Sequence, residues 1–223
     1  MTDLTDVLWL TFKLASVTTF WLLLIGTPLA WWLSQKRSTL RTGIEALVAL
    51  PLVLPPTVLG FYLLIAFAPQ STFGNLWQQT TGQPLAFTFS ALVIGSIAYS
   101  LPFVVQPLQA AFQQLPRNLL DAAATLGASP RDQWTSIILP LCRKAFVGAA
   151  SLGFAHTVGE FGVVLMIGGN IPGETQVLSI ALYDQVEALN YQAAHLMSGG
   201  LLVFSFVMLF LLYRSNHISW KIR

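Results

Sequence analysis

Five long apolar stretches divide this chain, at about Val7 to Leu33, Ile44 to Ala68, Leu85 to Leu108, Ala145 to Ile167 and Leu196 to Tyr213. Each runs about 18 to 27 residues, enough to cross a hydrocarbon core as a tilted helix. Backbone groups in lipid must bond within their own segment, so each stretch is predicted to be helical. Between Gln176 and Leu189 lies a shorter apolar run that holds Asp184 and Glu187. It is predicted to be a partial or surface-lying helix rather than a full crossing. The pattern gives an all-α, polytopic helical bundle of about five spans.

Composition agrees. Of 223 residues, 55% are hydrophobic and 9% are charged, against about 25% charged in a soluble domain. Residues 46 to 116 contain no Asp, Glu, Lys or Arg. The net charge of +2 gives no nucleic-acid footprint, and Cys142 is the only cysteine, which rules out an intrachain disulfide or a cysteine cluster. The opening MTDLTDVLWL lacks a basic n-region, so no cleaved signal peptide is expected.

The basic residues set an expected orientation. Lys36, Arg37 and Arg41 lie between stretches one and two, and Arg117, Arg131, Arg143 and Lys144 between three and four. Arg214, Lys221 and Arg223 follow stretch five, and Lys13 alone departs from the pattern. Positive charge stays inside, which puts the N-terminus out, the C-terminus in and the 115–140 loop in the cytoplasm.

That loop holds DAAATLGASPRDQWTSIILP, Asp121 to Pro140. Leu and Ala favour helix, Gly127 suits a C′ position, and Ser129, Pro130 and Asp132 suit N-cap, N1 and N3 of a second helix. Two short helices meeting at a glycine elbow are predicted. Physical reasoning leaves two uses open: a hairpin resting on the membrane surface, or a docking surface for a soluble partner.

The stretch resembles the "EAA" signature of bacterial ABC-transporter permeases. Asp121, Ala122, Ala123, Gly127, Ile137, Leu139 and Pro140 fall on its positions, with Asp121 where the family more often has Glu. The resemblance implies the fold of type I ABC importer permeases, with residues 1–223 as one transmembrane domain. It also implies that the loop couples to a cytoplasmic ATPase dimer. No phosphate-binding G-x-x-x-x-G-K-[ST] occurs in the chain. ATP and Mg would belong to the partner, and this chain is expected to bind no cofactor and catalyse no reaction.

LPLVLPPTVLGFYLL and GEFGVVLMIGGNIPGETQVLSIALY resemble the molybdate permease family. That resemblance implies a two-fold membrane dimer in the cytoplasmic (inner) membrane of a bacterium, importing molybdate with a periplasmic molybdate-binding protein. Tungstate, and sulfate or thiosulfate, are the alternative cargoes.

Pro51, Pro55 and Pro56 are predicted to break the second span, either as a packed kink or as part of the path near its cytoplasmic mouth. His156 and Glu160 are four residues apart, on one face of a continuous helix, and a hydrogen bond between them is expected. Ser151, Ala155 and Gly159 recur every four residues and are expected to let helices approach closely. Gly159 and Gly162 flank Glu160 and are assigned with it to gating. An ionised Glu160 would repel a dianion and is not expected to ligate it. GGNIPGETQ reads on its own as a simple turn; the resemblance places it on the periplasmic side near the substrate entrance, where Asn170 and the backbone amides of Gly168, Gly169 and Gly173 would offer neutral donors. The reading from another class is a membrane-embedded metal-dependent hydrolase using His156 and Glu160.

Overall fold

The computed structural model describes residues 4–35 and 38–217, with side chains to 214. Lys36, Arg37, Lys221 and Arg223, used above for orientation, lie outside the described residues. Among those described there is helix and no strand.

Helix α1 spans Leu4–Leu33. Helix α2, Thr39–Ala49, begins at Ser38, whose hydroxyl caps the Arg41 amide. Its apolar continuation does not cross as one rod. A 3-10 turn at Leu50–Leu52 ends α2, and α3, Pro56–Phe67, leaves at 110°. Proline lacks the N–H for a helical bond and its ring displaces the carbonyl of the preceding turn. Pro51, Pro55 and Pro56 together stop the ladder, so the second apolar stretch is a pair of helices bent at 110° and not one straight crossing.

Helix α4, Thr72–Thr81, is amphipathic and ends at Gly82 with φ +76. Helix α5, Phe89–Gln113, starts at the Thr88 cap and carries Pro102 and Pro107 inside it. Helix α6 is Arg117–Thr125 and α7 is Pro130–Gln133. A π turn at Trp134–Ile138 joins α7 to α8, Leu139–Gly159, so that Pro130–Gly159 is one helical run of 30 residues. The fourth span therefore stops at Gly159 instead of reaching Ile167. Helix α9, Gly162–Gly168, follows a two-residue break. Helix α10, Leu178–Glu187, has ten residues, about 15 Å of helix, too short for a crossing. Helix α11, Tyr191–His217, is the last of the described helices. Four helices are long and apolar enough to cross, or five if the bent α2–α3 pair is one span.

Helices α1, α5 and α8 form the central trio, and α9 packs against α3 and α5. The core has two large layers, with a smaller cluster of Val7, Leu178 and Ala181 between α1 and α10. One gathers Leu14, Phe67, Leu92, Val163 and Ile167 around α9, and the other gathers Leu22, Val104, Leu108, Phe112 and Ile138 around the trio. No residue of the apolar stretch of α11 is fully buried; one face packs on α10, α8 and α1 through Met197, Leu201 and Phe204, and the rest is exposed.

Small residues set the closest crossings. A Cβ on Gly162 would lie 2.7 Å from Pro56 Cβ, and one on Gly60 would lie 2.8 Å from Met166 Cβ. Helices α3 and α9 therefore cross glycine against side chain. The central trio closes at Gly153, where a Cβ would lie 2.9 Å from Val104 Cγ2. Gly159 was expected to make such an approach, but it faces open space. The four-residue stripe through Ser151, Ala155 and Gly159 is not the tightest face of α8; the face through Gly153 is.

Candidate functional site

Two regions carry unusual local chemistry. The first is the elbow between α6 and α7. Helix α6 closes with Gly127 at φ +86, donating its amide to the Ala124 carbonyl at 2.9 Å. The Ala128 amide donates to the Ala123 carbonyl at 2.9 Å. This pair of bonds is the Schellman closure of a helix, and the left-handed φ it needs is open to glycine without a Cβ penalty.

One residue later the chain restarts. The Ser129 amide donates to Asp132 Oδ2 at 3.0 Å, and the Asp132 amide donates to Ser129 Oγ at 3.2 Å. The Ser129 hydroxyl adds a 2.6 Å bond to the same carboxylate oxygen. This reciprocal capping box fixes the entry to α7, and the Ser129 bonds hold the Asp132 carboxyl below the usual carboxylate range.

The elbow is exposed and braced at its base. No residue of α6 is buried, and Leu126 at the tip is 89% exposed. Asp121 and Ala122 are exposed, while Ala123 is half-buried. At the base, the Trp134 ring meets Trp31 of α1 at 5.1 Å and Phe112 of α5 at 5.8 Å. Ile138 is buried beside them, Ile137 is half-buried, and Leu139 and Pro140 are exposed. A force on the tip would pass along one continuous helix into the membrane trio.

The second region is a cavity of about 530 Å³ at the α8–α9 break, lined by Pro56, Thr57, Tyr99, His156 and Glu160 among others. The break follows from backbone geometry. Glu160 turns to ψ 131, and its carbonyl accepts from the Ser179 hydroxyl of α10. Because α8 ends at Gly159, His156 and Glu160 are not successive residues on one continuous helix, and no hydrogen bond joins them. Instead His156 Nδ1 bonds Ser100 Oγ at 2.9 Å, and its ring stacks on Phe103 at 4.0 Å. Ser100 also meets Thr157 Oγ1 at 3.3 Å, and Thr157 donates to the Gly153 carbonyl. Both Glu160 carboxylate oxygens and the Ser96 hydroxyl are buried without a hydrogen-bond partner. Among the described residues, no group of three or more His, Cys, Asp or Glu is placed to hold a metal. The ligand set that the hydrolase reading needs is therefore missing from this site.

A family model described as "binding-protein-dependent transport system inner membrane component" matches residues 23–217. The chain belongs to this family. Like other members it is a multi-pass membrane transport subunit. It is 55% identical over 210 residues to the molybdenum transport system permease protein ModB of Azotobacter vinelandii, covering 94% of this chain and 93% of that one. The sulfate transport system permease protein CysT of Escherichia coli is 31% identical over 185 residues, covering 83% and 66%. The fold matches solved ABC importers. A bacterial alginate importer gives a TM-score of 0.72 at 17% identity, covering 98% of this chain and 79% of that one. The MetNI methionine transporter gives 0.72 at 18%, covering 96% and 94%.

In this permease Asp121 through Pro140 form one contiguous element, whereas the other sequence-selected residues separate. Pro56, Gly159, Glu160 and Gly162 meet at the cavity. Pro51 sits in the 3-10 turn and Pro55 caps α3. Asn170 spends its amide on Asp184, donating to both carboxylate oxygens at 2.9 and 2.8 Å, and is not a free donor here. Sequence reasoning missed Ser96, Ser100, Thr57 and Tyr99, since isolated hydroxyls in apolar runs carry no local signal.

Proposed function

We propose that this permease is the membrane-spanning subunit of an ATP-driven importer that carries molybdate across the cytoplasmic membrane of a bacterium. The observation that carries the reading is the 55% identity to a molybdenum permease over 94% of the chain. Its partners would be a second copy of the chain, a cytoplasmic ABC ATPase dimer that holds ATP and Mg, and a periplasmic molybdate-binding protein. The exposed, braced elbow supports the ATPase contact, with Asp121, Ala122, Ala123, Gly127, Ile137, Leu139 and Pro140 as its residues. Pro51, Pro55, Pro56, Gly159, Glu160, Gly162 and Asn170 would belong to the pathway and its gate.

The charge distribution supports the orientation. Arg117 and Arg131 flank the elbow, and Lys144 and Tyr213 line one cavity, which brings the end of α11 to the same side. Lys13, the departure from the charge pattern, is exposed and places its ammonium 4.6 Å over the Phe89 ring, a cation–π contact. The elbow end would face the cytoplasm.

The test is uptake of radiolabelled molybdate by cells lacking this chain and by complemented cells. Uptake at low external molybdate is expected to fall without the chain and return with it. Loss of sulfate uptake with molybdate uptake intact would overturn the assignment in favour of a sulfate-type carrier, consistent with the 31% identity to CysT.

A further inference from the structure

The cavity at the α8–α9 break holds more polar capacity than the fold uses. Glu160 lines the cavity but is only 3% exposed; both its carboxylate oxygens are buried and lack a well-formed hydrogen bond. The Ser96 hydroxyl on α5 is buried beside this carboxyl and has no other partner. An ionised carboxylate placed this way is an uncompensated buried charge, which proteins avoid by pairing or neutralising it. No Lys or Arg lines the cavity. The other titratable groups facing it are Tyr99 from α5 and His156 from α8; α3 contributes Pro56 and Thr57, and α9 contributes Gly162. Helix α10 reaches Glu160 through the Ser179 hydroxyl, which binds the backbone carbonyl and leaves the carboxyl untouched, while its Tyr183 ring stacks on Phe161.

A neutral carboxylic acid has different needs. It carries one O–H donor, and that donor seeks an acceptor. The acceptors the protein offers nearby are neutral hydroxyls such as Ser96, whereas an oxyanion presents charged acceptors, which bind a donor about twice as strongly. We propose that Glu160, as the neutral acid, turns into the cavity as the α8–α9 break moves and donates a hydrogen bond to the oxyanion during its passage, with the Thr57 and Tyr99 hydroxyls as further donors. The inference rests on the reading of this chain as an oxyanion permease, and it assigns a contact residue within that pathway. The proton stays on Glu160 throughout; no bond other than hydrogen bonds forms or breaks. About 530 Å³ greatly exceeds the ~30 Å³ share of one water, so a four-oxygen anion fits with part of its hydration. Neutral donors hold an anion without the tight grip that would prevent release.

The experiment uses proteoliposomes containing the permease with its ATPase and binding protein, and labelled molybdate as the probe. Glu160→Gln keeps the shape and an N–H donor but carries no charge, whereas Glu160→Ala removes both. Glu160→Gln is expected to retain uptake and to hold it at alkaline pH, where uptake by the unaltered permease declines as the acid ionises. Glu160→Ala is expected to lose about tenfold or more, the typical effect of removing a donor to a charged group. Membrane abundance and ATPase co-purification are followed for each variant. If Glu160→Ala fails to accumulate, Glu160→Gln decides alone: retained uptake with a flattened alkaline limb supports the inference, and lost uptake overturns it. Uptake at the unaltered rate in an abundant Glu160→Ala also overturns it. If the unaltered permease carries no molybdate, the functional reading fails first and takes this inference with it.

Discussion

Replacing Gly127 separates coupling from folding because of where this residue sits. Its φ is +86, and no heavy atom lies within 4 Å of a built Cβ. A side chain there meets no neighbour, so the penalty is backbone strain alone, about 1–3 kcal/mol for a non-glycine residue in this region. The chain has one escape, which is to open the turn. That route loses the Gly127–Ala124 and Ala128–Ala123 bonds, each contributing ~1 kcal/mol net. Both routes therefore cost about 2 kcal/mol, which lowers the population of the native elbow roughly thirtyfold.

Helix α6 has no fully buried residue and touches the core mainly through Leu120, so most of this cost stays local. The central trio keeps its core, and Gly127→Val should reach the membrane at normal levels. Asn tolerates positive φ better than Ala, and β-branched Val tolerates it worst. Uptake and ATPase co-purification should therefore fall in the order Gly, Asn, Ala, Val, while abundance stays level across the series. If Gly127→Val transports normally, the elbow is not the coupling element. If abundance falls in step with uptake, the elbow is part of the folding core and the local-strain argument is wrong.

Two further outcomes follow from the packing and the charges. Gly162→Val places its Cβ 2.7 Å from Pro56 and should cost about 1–3 kcal/mol by overpacking the α3–α9 crossing, read as a lower melting temperature in detergent. Gly159→Ala, with nothing within 4 Å, should melt like the unaltered protein, and an equal drop for both would refute the crossing geometry. For orientation, the one native cysteine, Cys142, is buried and gives a quiet background. A cysteine at Thr72 should react with an impermeant thiol reagent from outside and one at Ser38 should not; the reverse labelling would invert the topology.

The legibility of the molecule in its sequence depended on the range of the forces involved. Helices α1, α5 and α11 were readable because hydropathy acts locally, and the elbow was readable because Gly127, Ser129, Pro130 and Asp132 fix the backbone within a few residues of themselves. The prolines announced that the second span breaks. The 110° between its halves was not readable, since that direction is set by packing on α5 and α9.

The same limit explains the errors around Glu160. Spacing of four places two residues on one face only while the helix is continuous, and α8 is not continuous past Gly159. Gly162 sits where a Cβ would strike Pro56, a residue of another helix far away in the chain. The polar partners are equally distant: Ser100 for His156, Asp184 for Asn170 and Ser179 for the Glu160 carbonyl. Each of these residues was visible as a type, but its bond was not. The prolines and GEFG, read separately as two helix-breaking signals, meet in space as the two walls of one cavity. A carboxyl left unpaired between them is therefore a feature of how two broken helices join, and any gating motion at either break changes the surroundings of Glu160.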